Sequence, residues 1–338
     1  MKNASHLVVF TMVALAMMGF AATSVHAITI DWVTVGDPGN AADDTTYGAV
    51  ADEFQIMKFE FTNSQYTEFL NSVAATDTYS LYNTNMGSDP RGGITRSGSP
   101  GTYSYLAKTN MGDKPVNYVS WFDAARVSNW LMNGATGTSS TETGAYTLVG
   151  GQISGTAPAA NPGATVYLPT ENQWYKAAYY KGSGTNAGYW DYATQSDTAP
   201  TAVTADSTGI GSAGSTGNFA NFNQAADWNS QNGNVTTVGT NGGASAYEAF
   251  DMSGNVWEWN DLTGAAGSSR GLRGGDWDIF AFGLSSAGRS TGGPSHEDIN
   301  IGFRLASPVP VPEPSTWVMA AAGLTCGGWQ MVRRRRAR

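Results

Sequence analysis

Cysteine is nearly absent: Cys326 is the sole one in 338 residues, so no disulfide can form within the chain. Stability is then expected from core packing and aromatic contacts, with calcium as a further candidate. Histidine is almost as scarce, with His6, His26 and His296 alone. His296 has Glu297 and Asp298 beside it in a Gly-Pro loop, yet no serine or cysteine in a nucleophile context accompanies it, so it reads as a surface histidine. Charge is sparse at 13% and basic residues are rarer than acidic ones. Without residues 1–27 and the segment from 308 on, the body carries 12 basic and 26 acidic side chains, a formal −14 that repels nucleic acid. The glycine clusters, such as 209–217, lack a Lys-Ser/Thr ending and a strand-to-helix setting. They are not phosphate loops.

Glycine, at 42 residues, and aromatics, at 12%, are plentiful, which describes a globular chain with many turns. The first 27 residues hold Lys2, an apolar run from Leu7 to Ala22 and a small-x-small site at Val25-His26-Ala27, the pattern of a secretory signal peptide. Short apolar alternations at 30–35 and 54–61 suit strands. Thr62 or Asn63 can cap a helix whose Tyr66, Phe69, Leu70 and Val73 form one apolar face. A polar, Gly-rich excursion follows over 77–113. Ser120 and Asp123 make a capping-box pair for a second helix with a stripe at Ala124, Val127, Ser128 and Leu131, ended by Gly134. Trp121, Phe122 and Trp130 read as core. An apolar island at 146–149 reads as a hairpin strand, and Thr170 with Gln173 opens a third, shorter helix that ends at Lys181-Gly182. The segment 183–249 reads as loops pinned by Tyr189, Trp190, Phe219 and Phe222.

The densest pattern lies in 250–306. Asp251 and Glu258 bracket a Gly-Asn turn, so their oxygens and the carbonyls of Gly254 and Val256 can converge on a hard cation such as calcium. The alternative is a metal-free turn with Glu258 in a salt bridge. Farther on come Arg273-Gly274-Gly275-Asp276-Trp277 and Gly302-Phe303-Arg304.

The succession GNVWEW, RGGDW and GFR resembles the formylglycine-generating, sulfatase-modifying-factor family. FQIMKFEFTNSQYTEFL, PVNYVSWFDAARVSNWL and YLPTENQWYKAAYYKG are similar to its earlier blocks in the same order. The resemblance spans roughly residues 30–306 and implies an α+β, C-type-lectin-like fold, with small twisted antiparallel sheets, two to three helices and much irregular chain. It further implies a second calcium site at the Asn221 side chain and Phe222 carbonyl, with Asp227 the nearest later carboxylate. Arg273, Asp276, Trp277 and Arg289 match positions that line the family's substrate groove, and His296 lies in the same region.

One departure outweighs these matches. The family's oxidases hold copper on two cysteines five residues apart, and those positions fall here on Ile279 and Leu284. Aliphatic side chains offer a Cu(I) ion no lone pair, so copper binding and formylglycine generation are not expected. A branch of the wider superfamily that holds iron on histidines is no better matched, since His296 alone remains in the body.

The C-terminal end adds Val311-Pro312-Glu313-Pro314, a mostly apolar run to Val332 with Trp317 and Trp329 near its ends, and Arg333 to Arg336. It resembles the PEP-CTERM sorting signal, which implies a membrane helix read by an exosortase. The run is just long enough to span, and the arginines hold the terminus in the cytoplasm. A permanent C-terminal anchor is the other reading of the same residues. The expected organisation is therefore a signal peptide over 1–27, one domain over 28–307 and a sorting segment over 308–338, in a protein of the cell envelope or exterior. Binding is the expected role, with extracellular polysaccharide or an envelope protein as partner; an enzyme on the same fold and a purely structural matrix component are its rivals.

Overall fold

A computed structural model describes residues 28–309. The expected signal peptide and the sorting residues Pro312, Glu313 and Pro314 lie outside the described residues, as does Cys326. Among the described residues no helix is long and apolar enough to cross a membrane.

The two ends of the domain meet in one sheet. Strand β1 (Trp32–Val35) pairs antiparallel with β2 (Phe54–Met57), and β2 pairs on its other side with β11 (Ala306–Pro308), so that Ile56 faces both Val33 and Ala306. Helix α1 (Asn63–Val73) starts at once, because Thr62 accepts from the Gln65 N–H while the Gln65 side chain accepts from the Thr62 N–H. Tyr66, Phe69 and Leu70 on its inner face are fully buried. Each such side chain contributes about 1.5–3 kcal/mol by leaving water.

The excursion 77–113 is more ordered than its composition implies. It holds a single helical turn, α2 (Asn85–Ser88), and a hairpin of β3 (Ile94–Ser97) and β4 (Ser104–Ala107). Its scattered tyrosines explain the order: Tyr105 is buried and donates to the Ala74 carbonyl at the end of α1. Helix α3 (Trp121–Met132) carries the Ser120–Asp123 box and is wrapped on nearly every side, with Trp121, Phe122 and Trp130 all fully buried. Helix α4 (Glu171–Tyr179) is capped by Thr170 and Gln173 and stops at Tyr180, one residue before the expected Lys181-Gly182 end. The island 146–149 is not a strand: Tyr146 is buried and bonded to Asp261, whereas Val149 stands 78% exposed.

The second sheet carries the site. Its order is β10 (Ile301–Gly302), β7 (Trp257–Asn260), β8 (Arg270–Arg273) and β9 (Ser290–Gly292). β10 runs parallel to β7, and the pair β5 (Thr201–Ala202) and β6 (Phe219–Ala220) is also parallel, so the sheets are not uniformly antiparallel. The segment 183–249 otherwise consists of loops, fastened by polar anchors as much as by rings. Lys114 Nζ donates to the Thr208 carbonyl and Thr237 Oγ1 and lies over the Trp228 ring, while Phe219, an expected pin, is 37% exposed.

Candidate functional site

The chain turns sharply after β8. Gly274 and Gly275 both have positive φ, and a Cβ on Gly275 would stand 2.6 Å from Leu284 Cδ2 and 3.0 Å from the Gly283 carbonyl oxygen, so only glycine fits there. The next residue, Asp276, is buried. Its Oδ1 accepts from the N–H groups of Asp278 (2.8 Å) and Ile279 (2.7 Å), and its Oδ2 accepts from the Asn300 amide. Burial pushes this carboxyl above its ordinary range, and those N–H bonds pull it back. A loop with two successive left-handed residues, Asn223 and Gln224, lies alongside: the Asn223 N–H donates to the Ile279 carbonyl and the Gln224 N–H to that of Trp277. The Gln224 side chain donates to Asp278 Oδ1.

These pieces enclose a cavity of about 520 Å³ lined by Asn223, Gln224, Trp257, Asp276, Asp278, Ile279, Phe280 and Asn300. Phe280, in the lining just before the turn Ala281–Leu284, and Phe282, on that turn, stand 75% and 74% exposed. Ile279 and Leu284, at the positions expected for cysteines, pack together with Ala220 and Phe222 in a small apolar cluster. The site thus offers carboxylate and carboxamide groups, two aromatic rings and an aliphatic wall. Its reactive groups are the carboxyls of Asp276 and Asp278, and no cysteine, serine, histidine or lysine lines it.

Of the expected groove residues, Asp276 alone lines this cavity. Arg273 is 1% exposed, and its Nε donates to Glu171 Oε1 (2.8 Å), which also receives Arg289 Nε (2.7 Å). One helix-terminal carboxylate therefore engages both arginines, with the Tyr47 ring beneath them. Trp277 is buried against Met111, Trp228, Val235 and Val256. His296 is exposed, with Nε2 3.7 Å from Asp298 Oδ2, and belongs to no cluster around the cavity. Sequence reasoning missed Asn223, Gln224, Asp278, Phe280 and Asn300. The adjacency of Asp278 and Phe280 was visible, but an exposed phenylalanine cannot be told from a core one by sequence.

Of the expected calcium ligands, Asn221 and Gly254 lie side by side. Asn221 bridges Gly254, the Asn255 N–H donating to its carbonyl at 2.9 Å, and a Cβ on Gly254 would fall 2.2 Å from that same oxygen. Asp251 accepts from the Gly239 N–H and the Asn241 amide. Glu258 accepts from Arg304 through both oxygens, each at 2.6 Å, and from Trp174 Nε1 at 2.7 Å. This is the salt-bridged arrangement. Asp227 closes its own loop through the Gly233 N–H, and the Phe222 carbonyl accepts from Ala225. No three His, Cys, Asp or Glu side chains converge on a metal position among the described residues. Two features nonetheless suit a hard cation. The Asn221 Oδ1 is buried without a hydrogen-bond partner, as are both oxygens of Glu60, whose carboxyl is raised by burial and by nearby Asp251 while Arg304 lowers it.

The α+β fold with small sheets, capped helices and abundant irregular chain is C-type-lectin-like. The chain matches the sulfatase-modifying factor enzyme 1-like domain over residues 33–309 and belongs to that family. Among solved structures, the crystal structure of CarF is similar at 22% identity and a TM-score of 0.50, covering 83% of this chain and 99% of that one. Treponema denticola variable protein 1 aligns at 18% identity and a TM-score of 0.47, covering 84% and 97% of the two chains. PvdO from Pseudomonas aeruginosa aligns at 19% identity and a TM-score of 0.41, covering 83% and 92%. No curated protein matches the chain.

Proposed function

We propose that this chain is a non-catalytic binding protein of the cell envelope or exterior, built on a sulfatase-modifying-factor-like domain, whose cavity beside Ile279 takes a polyhydroxylated ligand such as a polysaccharide. The observation that carries the reading is the content of that cavity. Where the resemblance places copper-binding cysteines stand Ile279, in the cavity wall, and Leu284, fully buried in the apolar cluster beside it, and neither offers a thiol. Carboxylates and carboxamides pair with vicinal hydroxyls, and an exposed ring such as Phe280 covers the apolar face of a sugar. Export by residues 1–27 and sorting by an exosortase through Pro312, Glu313 and Pro314 would deliver the domain to such ligands. Structural calcium would be held by Asn221 and by the turn from Asp251 to Glu258. It would favour the ionised forms of Glu60 and Asp251, which burial disfavours.

The test has two parts. The purified chain is incubated with copper, oxygen and a cysteine-containing sulfatase peptide, and conversion is read by mass spectrometry. It is then screened against immobilised glycans. No conversion together with saturable binding of defined glycans is expected; conversion would overturn the reading in favour of an oxidase, and absence of any saturable glycan would leave a matrix role.

A further inference from the structure

We infer that the cavity prefers a saccharide bearing protonated amino groups over the same saccharide with those groups acetylated. The inference rests on the glycan-binding reading above and names the ligand class within it. Its basis is the distribution of charge around the cavity. The ionisable side chains lining it are Asp276 and Asp278, and neither lysine, arginine nor histidine joins them.

The two carboxylates do different work. Asp276 is buried and held by three donors, two backbone N–H groups and the Asn300 amide, so its carboxyl is fixed in the cavity lining. Asp278 is exposed, and the Gln224 amide engages its Oδ1 and holds its side chain in place. Its Oδ2 has no hydrogen-bond partner among the described residues, and the side chain is open to solvent. A neutral sugar can use the amides of Asn223 and Asn300 and the rings of Trp257 and Phe280. An ammonium adds a charge-assisted bond to Asp278 and the attraction of Asp276 behind it. Arg91, which stacks on the neighbouring Trp277 ring at 4.6 Å, forms no ion pair with them: its Nε and Nη2 donate to the carbonyls of Gly233 and Asn232. The acidic body of the domain concentrates cationic polymers in the same direction.

The experiment compares a glucosamine tetramer with an N-acetylglucosamine tetramer by titration calorimetry against the purified full-length chain, at a pH where the free amines are protonated. The glucosamine tetramer is expected to bind about tenfold more tightly, as one added charge-assisted contact implies. In Asp278→Asn the ratio should fall to near one, whereas Asp44→Asn, an exposed acid remote from the cavity, should retain it. Equal affinities for the two tetramers would overturn the inference and leave glycan binding standing. A preference that both variants retain would overturn it too, assigning the effect to overall charge. Failure of both tetramers to bind would overturn the inference for these sugars, and the glycan screen decides the broader reading separately.

Discussion

Ile279 and Leu284 meet over one backbone position: an atom placed as Cβ on Gly275 would lie 3.0 Å from Ile279 Cγ2 and 2.6 Å from Leu284 Cδ2. Two side chains five residues apart thus converge because the turn Ala281–Leu284 folds the chain back on Gly275. Both side chains therefore face one point of the turn. Replacing both residues, Ile279→Cys with Leu284→Cys, should create a site for one Cu(I) per chain, measured by competition with a chromogenic chelator, while the natural chain leaves the chelator loaded. A folded double variant that takes no copper would mean that the two positions do not converge in solution.

Glu258 and Arg304 form a buried ion pair joining β7 to the segment between β10 and β11. Arg304 also donates to the carbonyls of Met57 and Phe250, so its loss strands one carboxylate and several acceptors together. Arg304→Met should cost about 3–5 kcal/mol in denaturant unfolding. Adding Glu258→Gln should recover part of that loss, because the amide oxygen still accepts from Trp174 Nε1 and no charge remains. A double variant no more stable than Arg304→Met would show that the backbone bonds, not the charge, dominate.

These two cases mark what the sequence made legible. Local signals were sufficient for the capped helices, because Thr62, Ser120 and Thr170 each reach only three residues ahead. The order of family words carried the fold. Tertiary pairing was beyond reach: nothing local says that Arg273 and Arg289 share Glu171, a hundred residues away, and so leave the groove to Asp278 and Phe280. For the same reason the 77–113 excursion looked irregular. Its hairpin is stabilised by packing Tyr105 against α1, a contact its own polar composition conceals.

Asp261 gives a pH dependence with a definite sign. Burial pushes its carboxyl from 3.8 up to about 6, although Arg270, Tyr146 and Trp121 all pull it down. The folded state therefore holds a proton that the unfolded chain releases at lower pH. The stabilising contribution is complete below about pH 4 and is lost as pH rises through about 6, in total about 3 kcal/mol. Melting temperature should fall across that window from this group, and Asp261→Asn should flatten the fall. An equal slope in wild type and variant would assign the dependence to other carboxyls.

Phe280 provides the last test, since exposure is what separates a binding ring from a packing ring. At 75% exposed it contributes little to the core, so Phe280→Ser should leave the unfolding midpoint within about 0.5 kcal/mol of wild type. If the ring covers the apolar face of a bound sugar, the same change should weaken glycan affinity by about 1 kcal/mol, roughly fivefold. Phe282→Ser, equally exposed but outside the cavity lining, should weaken it less. Calorimetry on the two variants orders the rings. Equal losses would place the ligand along the outer ridge that both rings share, and no loss in either would remove Phe280 from the site.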